Sequence, residues 1–235
     1  MRFLFNQSLR IFHTFDRDTV IMKAIIIGAT GATGKALVNQ LLNDEKYLEI
    51  HVLIRKPSFT SHPKLTEHLI DFDRLDSYTE NIKGDVAFSV LGTTLKDAGS
   101  KDAQWKVDYD YQYQFAENCK KNGIKTFVLM SAMGADSRSK FFYNKLKGKL
   151  EDAIKQLDFH QLIILQPGLL IRPDTKRTNE RIFANVLKSL NNIGLLTKYK
   201  PQPVENIALA MRQAILLPTK GTQIYTPKEI NNLIK

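Results

Sequence analysis

Short apolar runs alternate with amphipathic stretches along most of this chain. Lys23 to Gly28 reads KAIIIG, an isoleucine-rich run closed by glycine. A run apolar at successive positions belongs to a strand covered on both faces. Ala36, Leu37, Leu41 and Leu42 then recur at helical spacing. Further apolar runs follow: EIHVLIR ending at Arg55, HLIDF from His68, DVAFSVLG from Asp85, KTFVLMSA from Lys125 and QLIILQPG from Gln161. A long helical stretch is predicted from Asp102 to Asn122. A later one carries Leu146, Leu150, Ile154 and Leu157 as its apolar stripe. Strands alternating with helices, and apolar on both faces, predict an α/β fold built on a doubly wound parallel sheet.

After Gly168 the rhythm changes. TNERIFANVLKSLNNIG and VENIALAMRQAILL read as helices separated by loops containing proline and lysine. They predict a small C-terminal lobe, within roughly residues 169–203, over the open ends of the strands. Residues 22–235 then form a single domain. Residues 1–21 stand apart as an aromatic, mildly basic extension ahead of Met22. Lacking a long apolar core and a small-residue cleavage site, they argue against a secretory signal. Two readings stay open: an extension before the natural start at Met22, which is favoured, or an organelle-targeting or surface-binding segment.

Composition narrows the class. Of 235 residues, 43% are hydrophobic and 25% charged, the balance of a globular protein. No run approaches the roughly 18 apolar residues that span a bilayer. Cys119 is the single cysteine, so neither an internal disulfide nor a cysteine-based metal site is available. It reads as a packing residue in a reducing compartment, and a cytoplasmic location is expected, with organelle targeting by residues 1–21 as the alternative. The histidines show no metal-ligand spacing, and no metal is expected. The net charge of +10 favours anionic ligands. Arg138 to Lys149 holds five cationic residues and no acidic one. Without a nucleic-acid-binding motif, this charge points to phosphate-bearing small molecules rather than nucleic acid.

GATGATG follows the first strand directly and places Gly28, Gly31 and Gly34 at G-x-x-G-x-x-G spacing. Such glycines permit a tight turn and close approach of backbone to a pyrophosphate. The helix beginning near Thr33 aims its free N–H groups at the phosphates. Thr30, Ala32 and Thr33 join the glycines as expected cofactor contacts. Strand, glycine loop and helix together point to a dinucleotide. The second strand ends in Arg55 and Lys56 with no carboxylate, which favours NADP over NAD. Asp71 and Phe72 are expected near the adenine. Leu91, Gly92 and Thr93 are expected where backbone passes close to the cofactor.

FFYNKLKGK sets Tyr143 and Lys147 four residues apart, on one face of a helix. Taken with GATGATG, LGTT, VLMSAMGAD and QPGLLIRP, in this order, it resembles the atypical short-chain dehydrogenases/reductases. Within them it is similar to the Tat-interacting-protein-like oxidoreductases, a subgroup with the NAD(P)-binding Rossmann fold. The resemblance covers Met22 to the C-terminus. It implies that Tyr143 moves a proton at the substrate oxygen. It implies that Lys147 holds the nicotinamide ribose and favours the phenolate, and that Ser131 orients the carbonyl. Pro167 and Gly168 would pass the nicotinamide carboxamide. One departure is visible: related enzymes often carry a relay asparagine after the fourth strand, where this chain has Asp108.

The expected function is that of an NADP-dependent oxidoreductase acting on a small carbonyl or alcohol. Arg172, Lys176 and Arg177 hint at an anionic substrate. A non-catalytic NADP-binding sensor acting through a protein partner is the alternative, and a sugar-nucleotide epimerase a weaker one, since the chain leaves little room for that substrate's lobe.

Overall fold

A computed structural model describes residues 21–171 and 201–235. The expected helix within 178–194, the cations Arg172, Lys176 and Arg177, residues 1–20 and most of the expected lobe lie outside the described residues.

Strands β1 (Met22–Ile27), β2 (Tyr47–Ile54), β3 (Leu65–Leu69), β4 (Val86–Ser89), β5 (Thr126–Met130) and β6 (Gln161–Leu165) all run parallel. A strand near the C-terminus, Gly221–Tyr225, pairs parallel with β6 at the edge. With Leu170–Ile171 as β7 and Gln202–Pro203 as β8, this edge strand is β9. The seven-stranded sheet has the order β3-β2-β1-β4-β5-β6-β9. The order reverses at β1, whose neighbours are β2 and β4, and a ligand crevice opens at such a switch point.

Side chains alternate across a strand, and β1 divides the core accordingly. Ala24 and Ile26 pack with Leu37 and Leu41 of α1 (Ala32–Leu42) and with Ile207 and Met211 of α6 (Val204–Ile215). Ile25 and Ile27 pack on the other face with Phe115 and Cys119 of α4 (Tyr111–Lys121) and Leu150 and Ile154 of α5 (Phe142–Lys155). Each fully buried Ile or Leu contributes about 1.5–3 kcal/mol. Cys119 is part of that core, and burial pushes its thiol well above the ordinary value.

Two boundaries differ from the sequence reading. β3 starts at Leu65 rather than His68, because it lies at the sheet edge and its residues are only partly covered. The apolar cue further on comes from Ile70 and Phe72, which are buried at the start of 3-10 turns over Phe72–Asn81. The stretch predicted as one helix from Asp102 is α3 (Lys101–Trp105), a π-turn (Lys106–Asp110) and α4 in unbroken succession. A short helix, α2 (Leu95–Ala98), precedes it. The chain closes with α7 (Pro227–Leu233).

Candidate functional site

A pocket of about 660 Å³ opens at the carboxyl ends of β1, β4, β5 and β6. One rim is the glycine loop. Gly28 has φ +78, and a Cβ there would lie 2.4 Å from the backbone nitrogen of Leu91. A Cβ on Gly34 would lie 2.2 Å from the Gly28 carbonyl oxygen. These two glycines are therefore required by close packing of the loop on β4's end and of α1 on the loop. Gly31 is different: a Cβ there meets only the Gly28 oxygen, at 3.4 Å. Gly31, Ala32 and Thr33 line the pocket. Gly31 caps α1 without a side-chain hydrogen bond, so the helix opens on bare N–H groups.

The opposite rim is built from side chains. Tyr143 is the second residue of α5 and is 41% exposed, while Lys147, one turn on, is 3% exposed. Both line the pocket with Ser131, Pro167 and Gly168. The start of α5 is held by the loop before it: Asn144 Nδ2 donates to the Gly134 carbonyl at 2.6 Å, and the Asp136 N–H donates to the Asn144 carbonyl at 3.0 Å. Gly148 seats the helix on that loop, since a Cβ would lie 2.1 Å from the Ser137 nitrogen. Lys147 makes no salt bridge among the described residues, and its side chain reaches the pocket wall. Lys145 and Lys149 are exposed, and Lys149 lies over the Trp105 ring at 5.7 Å.

The Asp108 carboxylate is buried behind this rim. Its Oδ1 accepts from the Thr93 N–H at 2.8 Å, and its Oδ2 from Gln104 Nε2 at 3.4 Å. Burial raises its pKa from the ordinary value, with the Lys147 ammonium and the two donors pulling the other way. Asp108 stands in the π-turn, and its backbone carbonyl accepts from Gln112 Nε2 at 2.9 Å. Gln112 Oε1 accepts from Ser89 at the end of β4. π-turns recur at functional sites because they re-aim side chains. Ser131, placed by β5 and Leu165, donates its hydroxyl to the buried carboxylate of Glu151.

The family model described as NAD(P)H-binding matches residues 28–187, which includes the glycine loop and both rims. The chain belongs to the NAD(P)H-binding family. It is 37% identical to Protein HTATIP2 of Rattus norvegicus over 150 residues, 62% of each chain. It is 34% identical to Protein FMP52, mitochondrial, of Meyerozyma guilliermondii over 225 residues, 91% of this chain and 96% of that protein. Among solved structures, MoeE5 in complex with UDP-glucose and NAD superposes with a TM-score of 0.67 at 14% identity, covering 88% of this chain and 79% of that one. At that identity the likeness shows the fold, a Rossmann-type parallel sheet.

Within this NAD(P)H-binding chain, the expected site residues fall into two groups. Gly31, Ala32, Thr33, Leu91, Gly92, Thr93, Ser131, Tyr143, Lys147, Pro167 and Gly168 converge on the pocket. Gly28 and Gly34 sit beneath it as packing glycines. Thr30, Arg55, Lys56 and Asp71 are exposed outside its wall. The Asp71 carboxylate accepts from the Asp73 N–H at 3.0 Å, and the Phe72 ring packs in the core against Tyr111 at 5.4 Å. Sequence reasoning missed Gln104, Glu151, Gln166 and Gln202. Gln202 is buried, and its Oε1 accepts from the Gly168 N–H while its Nε2 donates to Asn231. Glu151 alone left a readable signal, standing one helical turn after Lys147.

Proposed function

We propose that this protein is an NADP-dependent oxidoreductase passing hydride between nicotinamide and a small carbonyl or alcohol, with Tyr143 moving the proton. The observation that carries the reading is Lys147. It is deeply buried and makes no salt bridge among the described residues, although the buried Asp108 carboxylate feels its charge. It faces a pocket whose far rim is bare backbone N–H, a pairing suited to a dinucleotide with phosphates at one end and a ribose at the other. The donor set fits the cofactor: Gly31, Ala32 and Thr33 for the pyrophosphate, and Lys147 for the nicotinamide ribose. The bound nicotinamide supplies or takes hydride. Tyr143 supplies the matching proton at the substrate oxygen in reduction and takes it in oxidation. Arg55 and Lys56, exposed at the end of β2 and in no salt bridge among the described residues, suit a 2′-phosphate and support NADP over NAD.

Asp108 supports the second reading, a non-catalytic NADP-binding protein acting through a partner, because it replaces the amide of related proton relays with a carboxylate. Fluorescence titration with NADPH and NADH, then turnover of 4-nitrobenzaldehyde and 9,10-phenanthrenequinone, separates the two. Tight NADPH binding with reduction of either probe supports the enzyme. Binding without reduction supports the sensor, and no binding removes both. The FMP52 relatives are named mitochondrial. A fluorescent fusion of the whole chain, with and without residues 1–21, distinguishes a mitochondrial address from a cytoplasmic one.

A further inference from the structure

Beside Tyr143 the pocket continues over α2, the start of α5 and the chain leaving β6, where Leu95, Phe142, Leu169 and Leu170 line it. The donor set for the cofactor uses none of these four side chains. All four are held from behind. The Gln202 N–H donates to the Leu169 carbonyl at 2.8 Å, and the Gly168 N–H donates to Gln202 Oε1 at 3.1 Å. Leu170 continues into β7, paired with β8. The Phe142 ring lies 6.4 Å from the Trp105 ring, with the Lys101 ammonium 5.5 Å from its centroid. Thr94 Oγ1 accepts from the Asp97 N–H at 3.2 Å, which caps α2 and fixes Leu95 at its first position.

The polar groups at this end already have protein partners. Thr94 Oγ1 donates to Asp97 Oδ2 at 2.9 Å. Gln104 Nε2 donates to the Thr93 carbonyl and to Asp108 Oδ2, each at 3.4 Å. Ser131 donates to the Glu151 carboxylate, and Gln166 Nε2 donates to its two oxygens at 2.9 and 3.1 Å. Asp97 and Lys101 line the mouth, exposed and opposite in sign, so together they select neither an anion nor a cation. Next to Tyr143 and Ser131 a substrate therefore meets one polar point in an apolar wall. A polyhydroxylated compound would leave its hydroxyls without partners against that wall.

We propose that this end of the pocket is a subsite for apolar carbonyl compounds and their alcohols. The oxygen lies at Tyr143, and a hydrocarbon body lies along Leu95, Phe142, Leu169 and Leu170. Reduction of such an aldehyde takes hydride at carbon from NADPH and a proton at oxygen from Tyr143, giving the alcohol and NADP+. This inference rests on the oxidoreductase reading above and narrows its carbonyl to a hydrophobic one. A methylene moved fully from water onto apolar side chains is worth about fourfold in binding. Leu95 is 46% exposed and the other three are half-buried, so about threefold per methylene is expected here.

A homologous series tests it. NADPH-dependent reduction is measured for propanal, pentanal and heptanal, whose carbonyls are electronically alike, and for D-glyceraldehyde, which is propanal carrying two hydroxyls. The value of kcat/KM is expected to rise about threefold per added methylene, with D-glyceraldehyde no better than propanal. A flat or falling series, or a preference for D-glyceraldehyde, overturns this inference alone. Leu95→Asn is expected to lower the heptanal-to-propanal ratio of kcat/KM about threefold or more, with NADPH affinity by fluorescence unchanged. If that variant does not fold, Leu169→Asn replaces it. A ratio that the folded variant leaves unaltered removes the hydrocarbon from this wall and overturns the inference. A wild type that reduces none of these aldehydes, nor 9,10-phenanthrenequinone, nor 4-nitrobenzaldehyde, overturns the oxidoreductase reading and this inference with it.

Discussion

The two rims of the pocket are made of different material. The α1 rim is backbone: two glycines packed against neighbouring main chain, a third left open, and a helix start without a side-chain cap. The α5 rim is side chains: Tyr143, Lys147, Ser131, and behind them Glu151 and Asp108, four of the five buried. A backbone rim tolerates no added atoms but carries no ionisable group. A side-chain rim tolerates isosteric change in shape and responds to every change in protonation. Damage to the first should therefore register as lost folding, and damage to the second as lost chemistry in a folded protein.

The largest expected effect is on the backbone rim. Gly34→Ala drives a methyl to within 2.2 Å of the Gly28 oxygen and 2.7 Å of the Ala29 Cα. The expected loss is about 3 kcal/mol or more of folding stability, read by thermal or urea denaturation. A variant as stable as the parent would break the contrast at once. On the opposite rim, Tyr143→Phe should leave the melting temperature and NADPH affinity in place and lower kcat on a reducible carbonyl by about 10²-fold or more. Unchanged turnover would remove Tyr143 from proton transfer. Arg55 lies beyond either rim and should act on affinity only. Arg55→Ala is expected to weaken NADPH binding about tenfold, the scale of one charge-assisted contact, and to leave NADH binding unaltered. Equal losses for both cofactors would sink the phosphate argument.

The smallest effect concerns Asp108. Its pKa is raised in the fold, chiefly by burial. A raised carboxylate favours the folded state below its unfolded pKa, and that advantage is lost as pH rises through the folded value. Asp108→Asn retains an acceptor for the Thr93 N–H and removes the buried charge. The variant should gain stability relative to wild type at pH 7, on the order of 1 kcal/mol, and the gain should vanish below about pH 4. Melting temperatures across that range provide the check, and a gain that persists at low pH would contradict the assignment.

The same contrast governs what could be read from the sequence. The backbone rim was legible because glycine at fixed spacing after an apolar strand has few other causes. Tyr143 and Lys147 were legible because helical spacing joins them within one segment. Glu151 and Gln166 were not paired in advance, since their contact depends on where β5 and β6 end beside α5. The edge strand β9 escaped because GTQIY shows neither an apolar run nor buried alternate residues. Its successor α7 carried an unread cue, the capping box of Thr226 and Glu229 with Pro227 at the first turn. The π-turn was invisible for a simpler reason: its residues have ordinary helical propensities, and only tertiary packing selects the wider turn.

That turn makes chain length at this point an exact requirement of the site. A π-turn accommodates one residue more than the α-helix it interrupts. Deleting a residue between Gln104 and Gln112 would let the segment close into uninterrupted α-helix with its flanks in nearly the same phase, since the turn absorbs the one extra residue. What would be lost is the wider turn itself, from which Asp108 meets the Thr93 N–H and the Asp108 carbonyl meets Gln112, although no side chain at the pocket had been replaced. A deletion within α4, which has no such turn to absorb it, would instead shift the phase of one flank against the other by about 100°.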